Sequence, residues 1–114
     1  MVTRAWAPDV GELVWLTFDP QAGKEQAGRR PALILSPTVY NRRSGLALAC
    51  PITSHTKGYP FEVVLPENLA VSGVVLADHV KSLDWQVRRA QRAGRVPEET
   101  LREVLDRLAP LLGY

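Results

Sequence analysis

Short apolar segments separated by polar, turn-forming residues run through most of this sequence, and they constrain its fold more than any other feature. Several of them, such as Ala32-Leu33-Ile34-Leu35, are apolar on both faces, which is typical of strands covered on both sides. The predicted strands are Leu13–Phe18, Ala32–Ser36, Leu46–Cys50, Phe61–Leu65 and Val74–Val80, with a weaker one near Gln86–Ala90.

The hydrophobic period changes after Pro97 from that of a strand to that of an amphipathic helix. Pro97 suits the first helical position, Pro110 should loosen the last turn, and Gly113 is suited to end it. The apolar positions of the helix are Leu101, Val104, Leu105, Leu108 and Leu112. The sequence therefore predicts a small, mostly antiparallel barrel with one long helix packed on it.

Length and composition narrow the classes of protein to which the chain can belong. Its 114 residues suit one domain, and 46% hydrophobic residues with a net charge of +2 exclude a mainly disordered chain. The longest apolar runs are too short to cross a membrane, and the N-terminus lacks the apolar region of a signal peptide. A single cysteine, Cys50, and the lack of zinc-spaced ligands favour a reducing cytosol without a structural metal.

A polar segment, Asp19–Pro31, joins the first two predicted strands and is longer than most hairpin loops. It ends in Arg29 and Arg30, and a guanidinium held beside a strand is well suited to grip a phosphate. The alternative is a loop whose charges are merely solvated, and composition alone favours that alternative slightly.

Three further segments carry groups that could bind nucleic acid. Pro51–Phe61 combines hydroxyls, a lysine and aromatic rings, although it could equally be a decorated hairpin turn. Arg88–Arg95 holds four arginines, which suit either phosphate binding or a charged edge strand. Asp78 and His79 interrupt an apolar strand and form either a site or a satisfied core pair.

Several motifs, in order and spread over nearly the whole chain, closely resemble the MazF family of toxins. Pro8-Asp9-Val10-Gly11-Glu12-Leu13-Val14-Trp15 is followed by Phe18-Asp19-Pro20 and by Gly23-Lys24-Glu25-Gln26-Ala27-Gly28-Arg29-Arg30-Pro31-Ala32. Leu35-Ser36-Pro37 and Tyr40-Asn41 come next. Pro51-Ile52-Thr53-Ser54, Lys57-Gly58-Tyr59-Pro60-Phe61-Glu62-Val63 and Ala77-Asp78-His79-Val80-Lys81-Ser82 complete the set.

The resemblance implies one toxin domain over residues 1–114, with an SH3-like barrel, acting as a cytoplasmic homodimer. It implies a metal-independent, cofactor-free endoribonuclease of a type II toxin–antitoxin system that cuts single-stranded RNA at short motifs. The family reaction uses the ribose 2′-hydroxyl and leaves a 2′,3′-cyclic phosphate and a 5′-hydroxyl. The implied protein partner is a MazE-like antitoxin with an acidic, disordered tail.

Matching positions supply the candidate site residues. Arg30 and Thr53 correspond to the family's catalytic arginine and threonine, and Glu25 to its loop glutamate, while either Arg30 or Glu25 could move the proton. The expected substrate-binding residues are Gln26, Arg29, Asn41, Ser54, Lys57, Asp78 and His79. Arg29 and His79 depart from the histidine and glutamine of some relatives, so the relatives' cleavage motif does not transfer.

Two other functions remain open at this point. The chain could be a non-catalytic toxin that blocks a protein target such as gyrase, as the CcdB branch of this fold does. It could also be an SH3-like adaptor for peptides, although that leaves the polar loop unexplained. The pair Arg30 and Thr53 favours the nuclease, because a pure binder would not need it.

Overall fold

Seven strands form one antiparallel sheet in a computed structural model that describes residues 5–18 and 28–114. Their order is β4-β5-β3-β2-β1-β7, and β6 pairs separately with β3. The strands are β1 (Glu12–Phe18), β2 (Gly28–Ile34), β3 (Leu46–Thr53), β4 (Glu62–Val64), β5 (Val74–Leu76), β6 (Lys81–Asp84) and β7 (Gln91–Arg95). In this part of the chain β4 and β7 are not paired with each other, so the sheet is open and "barrel" describes it only loosely.

Within residues 5–18 and 28–114, two α-helices accompany the sheet, α1 (Thr38–Ser44) and α2 (Glu98–Leu108). The predicted C-terminal helix is confirmed, with Pro97 as the residue that caps it rather than its first residue. A tighter 3-10 turn, Ala109–Leu112, follows α2. Gly113 caps this turn with a left-handed φ of 88°. Pro110 explains the change, because it has no N–H to donate to the preceding turn.

Apolar clusters cover both faces of the sheet, as the doubly apolar strands predict. On one face Leu13 and Leu33 pack in a cluster that includes Val104 of α2. On the other face Leu16 and Ile34 belong to a second cluster. The strands at the centre are thereby fixed from both sides, and this holds the ends of β2 and β3 in place.

The weak strand predicted near Gln86–Ala90 is wrong, because these residues form a turn and β7 begins at Gln91. The turn is closed by the Ala90 N–H, which donates to the Trp85 carbonyl over 2.8 Å. The Asp84 carboxylate accepts the Val87 N–H over 3.0 Å. These local bonds take the backbone groups that a strand would need for its ladder.

The second and fifth predicted strands have different limits in the structure. β2 starts at Gly28 and ends at Ile34, so Arg29 and Arg30 lie within a strand paired to β1 rather than at the end of a loop. β5 stops at Leu76, and a 3-10 turn, Ala77–His79, follows it. That turn exposes Asp78, which the longer predicted strand would have placed among apolar neighbours.

Two elements had no counterpart in the sequence prediction, α1 and β6. α1 ends at Ser44, and Gly45 after it has a left-handed φ of 75°. No helix in the part of the chain that the structure describes is both long and apolar enough to span a bilayer.

Candidate active site

Arg30 lies near the start of β2, in a rigid position. It pairs with Leu16 of β1, and its neighbour Arg29 pairs with Thr17. Arg30 is partly buried and lines an open cleft of about 480 Å³. Trp15, Pro31 and Ser54 line the same cleft, with residues 70–72 as its far wall. Strand pairing fixes the backbone from which the Arg30 side chain projects, and a guanidinium is well suited to meet an anionic group that enters this cleft.

Thr53 ends β3 and is only 6% exposed. Its hydroxyl oxygen accepts the backbone N–H of His55 over 3.1 Å, which fixes the side chain and leaves its own hydrogen free to be donated. Thr53 lines a second cleft of about 380 Å³, while its neighbours Ile52 and Ser54 line the cleft of Arg30. The end of β3 therefore forms the boundary between the two clefts.

The register of β2 and β3 places Arg30 and Thr53 at the same end of adjacent strands. Ala32 pairs with Pro51 and Leu33 with Cys50. Continued for two more residues, this antiparallel register sets Arg30 level with Thr53. The two side chains line neighbouring clefts rather than one enclosed pocket.

Polar and aromatic groups line the second cleft. The ammonium of Lys57 lies 5.8 Å from the ring centre of Tyr59. Residues of this kind suit a single-stranded nucleic acid, whose bases stack on rings and whose phosphates meet ammonium groups. The lining residues are Thr53, His55, Lys57, Tyr59, Glu62, Leu76, Asp78 and His79.

Glu62 is a residue of this cleft that the sequence analysis did not single out. Its carboxylate is buried and accepts the backbone N–H groups of Lys57 and Gly58 over 3.0–3.2 Å. These hydrogen bonds stabilise the turn that carries Lys57. The sequence signal that could have identified Glu62 is the motif Lys57-Gly58-Tyr59-Pro60-Phe61-Glu62.

Gly73 is a second residue that sequence analysis missed. Its φ of 124° and its close approach to the carbonyl of Thr53 leave no room for a side chain. The neighbouring residues Val71 and Ser72 line the cleft of Arg30. The segment before β5 can therefore reach both Thr53 and Arg30 because residue 73 is glycine.

The predicted site residues fall into four groups, of which the last is Asn41 alone. Arg29, Arg30 and Ser54 line the first cleft, and Thr53, Lys57, Asp78 and His79 line the second. Glu25 and Gln26 lie outside the residues that the structure describes.

Asn41, predicted to bind substrate, lines neither of these two clefts. Its side chain is 0% exposed and donates to the carbonyls of Pro8 and Ser36 over 2.8 and 2.9 Å. It also accepts the Ser36 hydroxyl over 2.6 Å. Asn41 ties α1 to the segment before β1, a structural role that leaves no polar atom for a ligand.

The arginine run Arg88–Arg95 packs largely onto β1. Arg92 forms an ion pair with the buried Glu12 over 2.5 Å. Arg95 contacts Asp9 and donates to the Val10 carbonyl over 2.9 Å. The run therefore belongs mainly to an edge strand fastened to the sheet, one of the two roles that its composition allowed.

Two further observations concern nucleophiles and metals. Burial, together with the charge of Asp78, raises the pKa of the Cys50 thiol to about 12, so it stays protonated at neutral pH. This agrees with a structural role for Cys50. Within residues 5–18 and 28–114, no group of three or more His, Cys, Asp or Glu side chains is placed to hold a metal.

Comparison with known proteins identifies close relatives over almost the full length. The sequence pattern of the PemK-like, MazF-like toxins of type II toxin–antitoxin systems matches residues 9–112. The endoribonuclease toxin MazF of Escherichia coli K12 is 48% identical over 113 residues, covering 99% of this chain and 100% of the relative.

Solved structures from Deinococcus radiodurans agree with this match. A crystal structure of MazF superposes with a TM-score of 0.93 and 60% identity, covering 96% of this chain and 100% of the other. MazF in a MazE–MazF crystal structure superposes with a TM-score of 0.85 and 55% identity, covering 96% and 98%.

Proposed function

The chain belongs to the family of PemK-like, MazF-like toxins of type II toxin–antitoxin systems, and from this we propose that it is an endoribonuclease. The relative from Escherichia coli is named an endoribonuclease toxin. The protein is accordingly the toxin of a toxin–antitoxin pair, and its substrate is RNA. These relatives do not support the alternative function, a toxin that only blocks a protein target.

The observation that carries the catalytic proposal is the position of Arg30 and Thr53 at one end of the paired strands β2 and β3. RNA contains its own nucleophile, the ribose 2′-hydroxyl, so the protein needs only to align it and to stabilise the charged phosphorane. The 2′-oxygen forms a bond to phosphorus, and the bond to the 5′-oxygen breaks. The products are a 2′,3′-cyclic phosphate and a 5′-hydroxyl. The 2′-hydroxyl loses one proton, and the leaving 5′-oxygen gains one.

We assign separate roles to the catalytic residues. Arg30 supplies several N–H donors to the phosphorane oxygens, and Thr53 supplies one hydroxyl donor. Arginine is a poor base because its pKa lies far above neutrality, so Glu25 is the proposed proton acceptor. This chemistry requires neither a metal nor a cofactor.

The second cleft is the proposed binding surface for the RNA on one side of the cut. Lys57 suits a phosphate, and Asp78 and His79 can form hydrogen bonds with base edges. Ser54 and Gln26 complete the proposed contacts. Single-stranded RNA fits because its bases can turn outward and stack on Tyr59.

Two protein partners follow from the family. The MazE–MazF crystal structure from Deinococcus radiodurans supports a cognate antitoxin, for which we propose a MazE-like chain with an acidic, disordered tail that occupies the RNA surface. We also propose a homodimer, which would cover the exposed apolar side chains Val39, Tyr40, Leu46 and Leu48 on α1 and β3. The proposed location is the cytoplasm, and residues 1–114 form one toxin domain.

Incubation of the purified protein with one long transcript in EDTA tests the nuclease and its chemistry together. We expect discrete fragments whose 5′ ends are hydroxyls, and Arg30→Ala should produce none while its circular dichroism spectrum stays unchanged. Intact RNA with the native chain, combined with inhibition of gyrase, would establish the non-catalytic alternative instead.

A further inference from the structure

The side chain of Arg29 is already engaged with the protein itself. Its guanidinium donates to the Arg89 carbonyl over 2.8 Å and to the Thr17 hydroxyl oxygen over 3.2 Å, with a longer contact of 3.4 Å to the Arg88 carbonyl. These acceptors lie on β1 and on the turn between β6 and β7. Arg29 therefore joins β2 to a segment about sixty residues further along the chain.

The turn that receives Arg29 is held in an unusual conformation. Arg89 is one of two non-glycine residues with positive φ in the described part of the chain, at 59°. Such a conformation is strained and persists only where its surroundings compensate for it. The charge-assisted hydrogen bond from Arg29 to the Arg89 carbonyl supplies such a compensation.

Reciprocal bonds connect the same turn to β1. The Thr17 N–H donates to the Arg88 carbonyl over 3.0 Å, and the Arg88 guanidinium donates back to the Thr17 carbonyl over 3.0 Å. With Arg29 these bonds form what we call the Arg29 clasp, made of Thr17, Arg29, Arg88 and Arg89. It ties the start of β2 to β1 and to the turn before β7, at the residue directly before Arg30.

We propose that Arg29 is a positioning residue for Arg30 and not a phosphate ligand. This inference rests on the proposed function. Its guanidinium is used within the clasp, so it fixes the backbone from which the catalytic guanidinium projects. A misplacement of about 1 Å at a catalytic group can cost about a hundredfold in rate. Arg29 therefore contributes to kcat, whereas a phosphate ligand would contribute to KM and to its dependence on salt.

Steady-state cleavage of a single-stranded RNA oligonucleotide separates the two roles. We expect Arg29→Gln to lower kcat about tenfold or more, with KM within about twofold and its salt dependence unchanged. Thr17→Val should lower kcat in the same direction by a smaller factor, although it removes no charge. The charge-matched control Arg102→Gln, on the exposed face of α2, should behave as the unchanged protein.

A raised KM with a flatter salt dependence and an unchanged kcat for Arg29→Gln would overturn the proposal and make Arg29 a phosphate ligand. Wild-type kinetics in both Arg29→Gln and Thr17→Val would show that the clasp has no catalytic role. If Arg29→Gln does not fold, the kcat of Thr17→Val still tests whether the clasp has a catalytic role.

Hydrogen exchange separates a failure of this inference from a failure of the proposed function. The Thr17 amide should exchange faster in Arg29→Gln than in the unchanged protein, whether or not RNA is cut, because the clasp no longer holds the turn. If Arg30→Ala still cleaves RNA, the proposed mechanism fails while the exchange result stands. If Thr17 exchange is unchanged, the clasp fails while the nuclease assignment stands.

Discussion

A Cβ atom at Gly73 would lie 2.3 Å from the carbonyl oxygen of Thr53, closer than any side chain is tolerated. This approach joins the segment before β5 to the end of β3, where Thr53 pairs with Val74. The location of the proposed catalytic hydroxyl thus depends on a glycine twenty residues further along the chain.

Gly73→Ala should lower the free energy of unfolding by about 2–4 kcal/mol, because a strained φ and a steric clash act together. Gly45→Ala is the matched control, since Gly45 also has a positive φ, of 75°, but nothing lies within 4 Å of its Cβ position. It should cost only about 1–2 kcal/mol. Equal losses in urea unfolding would show that the approach to Thr53 is not tight.

Thr53→Val should lower kcat by about tenfold to a hundredfold, because the hydroxyl that stabilises the phosphorane is lost while the volume is kept. His55 is an exposed residue whose N–H can bond to water instead, so stability should change by no more than about 1 kcal/mol. Thr53→Ser keeps the hydroxyl and should retain most activity. Full activity of Thr53→Val in single-turnover cleavage would remove Thr53 from the catalytic residues.

Glu62→Gln should raise KM by roughly threefold to tenfold, a change of about 1 kcal/mol in binding. The neutral amide accepts the Lys57 and Gly58 N–H groups more weakly, so the turn presents Lys57 less well. Glu67→Gln, at an exposed position, is the control and should leave KM unchanged. If both variants bind RNA as the unchanged protein does, Glu62 does not organise the second cleft.

Stability should decrease in acid partly through Asp9. Burial alone would raise the pKa of Asp9, but hydrogen bonds from Thr38, Val10 and Arg95 outweigh it and lower the pKa below the ordinary 3.8. A lowered pKa stabilises the fold above 3.8 and loses that contribution as pH falls through the folded value. Asp9→Asn should therefore be less stable than the unchanged protein near neutrality, with a difference that shrinks in acid. A difference in unfolding midpoint that stays constant down to the lowest pH would contradict this.

Local signals in the sequence were sufficient for the strands of the sheet centre and for α2. The doubly apolar segments became β1, β2, β3 and β5, and the helical period after Pro97 became α2. Short elements were missed because their support is not local. α1 has no apolar stripe of its own, and its anchor is Asn41, which bonds to Pro8 and Ser36.

The candidate site could be predicted where a motif carries the residue, as with Arg30 and Thr53. Residues that act through a distant partner could not be predicted. Gly73 matters because of the Thr53 carbonyl, and Arg92 is paired with Glu12, eighty residues away in the chain. From residue types alone, Arg29 was expected to bind a phosphate. In the structure its guanidinium instead donates to an acceptor within the protein, the Arg89 carbonyl.

In the proposed mechanism the RNA supplies its own nucleophile to a site built around Arg30. The most direct measurement compares two oligonucleotides that differ only in one 2′-hydroxyl, on the nucleotide immediately 5′ of the scissile phosphate. This mechanism predicts that the ribose form is cut in EDTA to a cyclic phosphate and a 5′-hydroxyl, and that the 2′-deoxy form stays intact. Cleavage of the 2′-deoxy form at a comparable rate would contradict it.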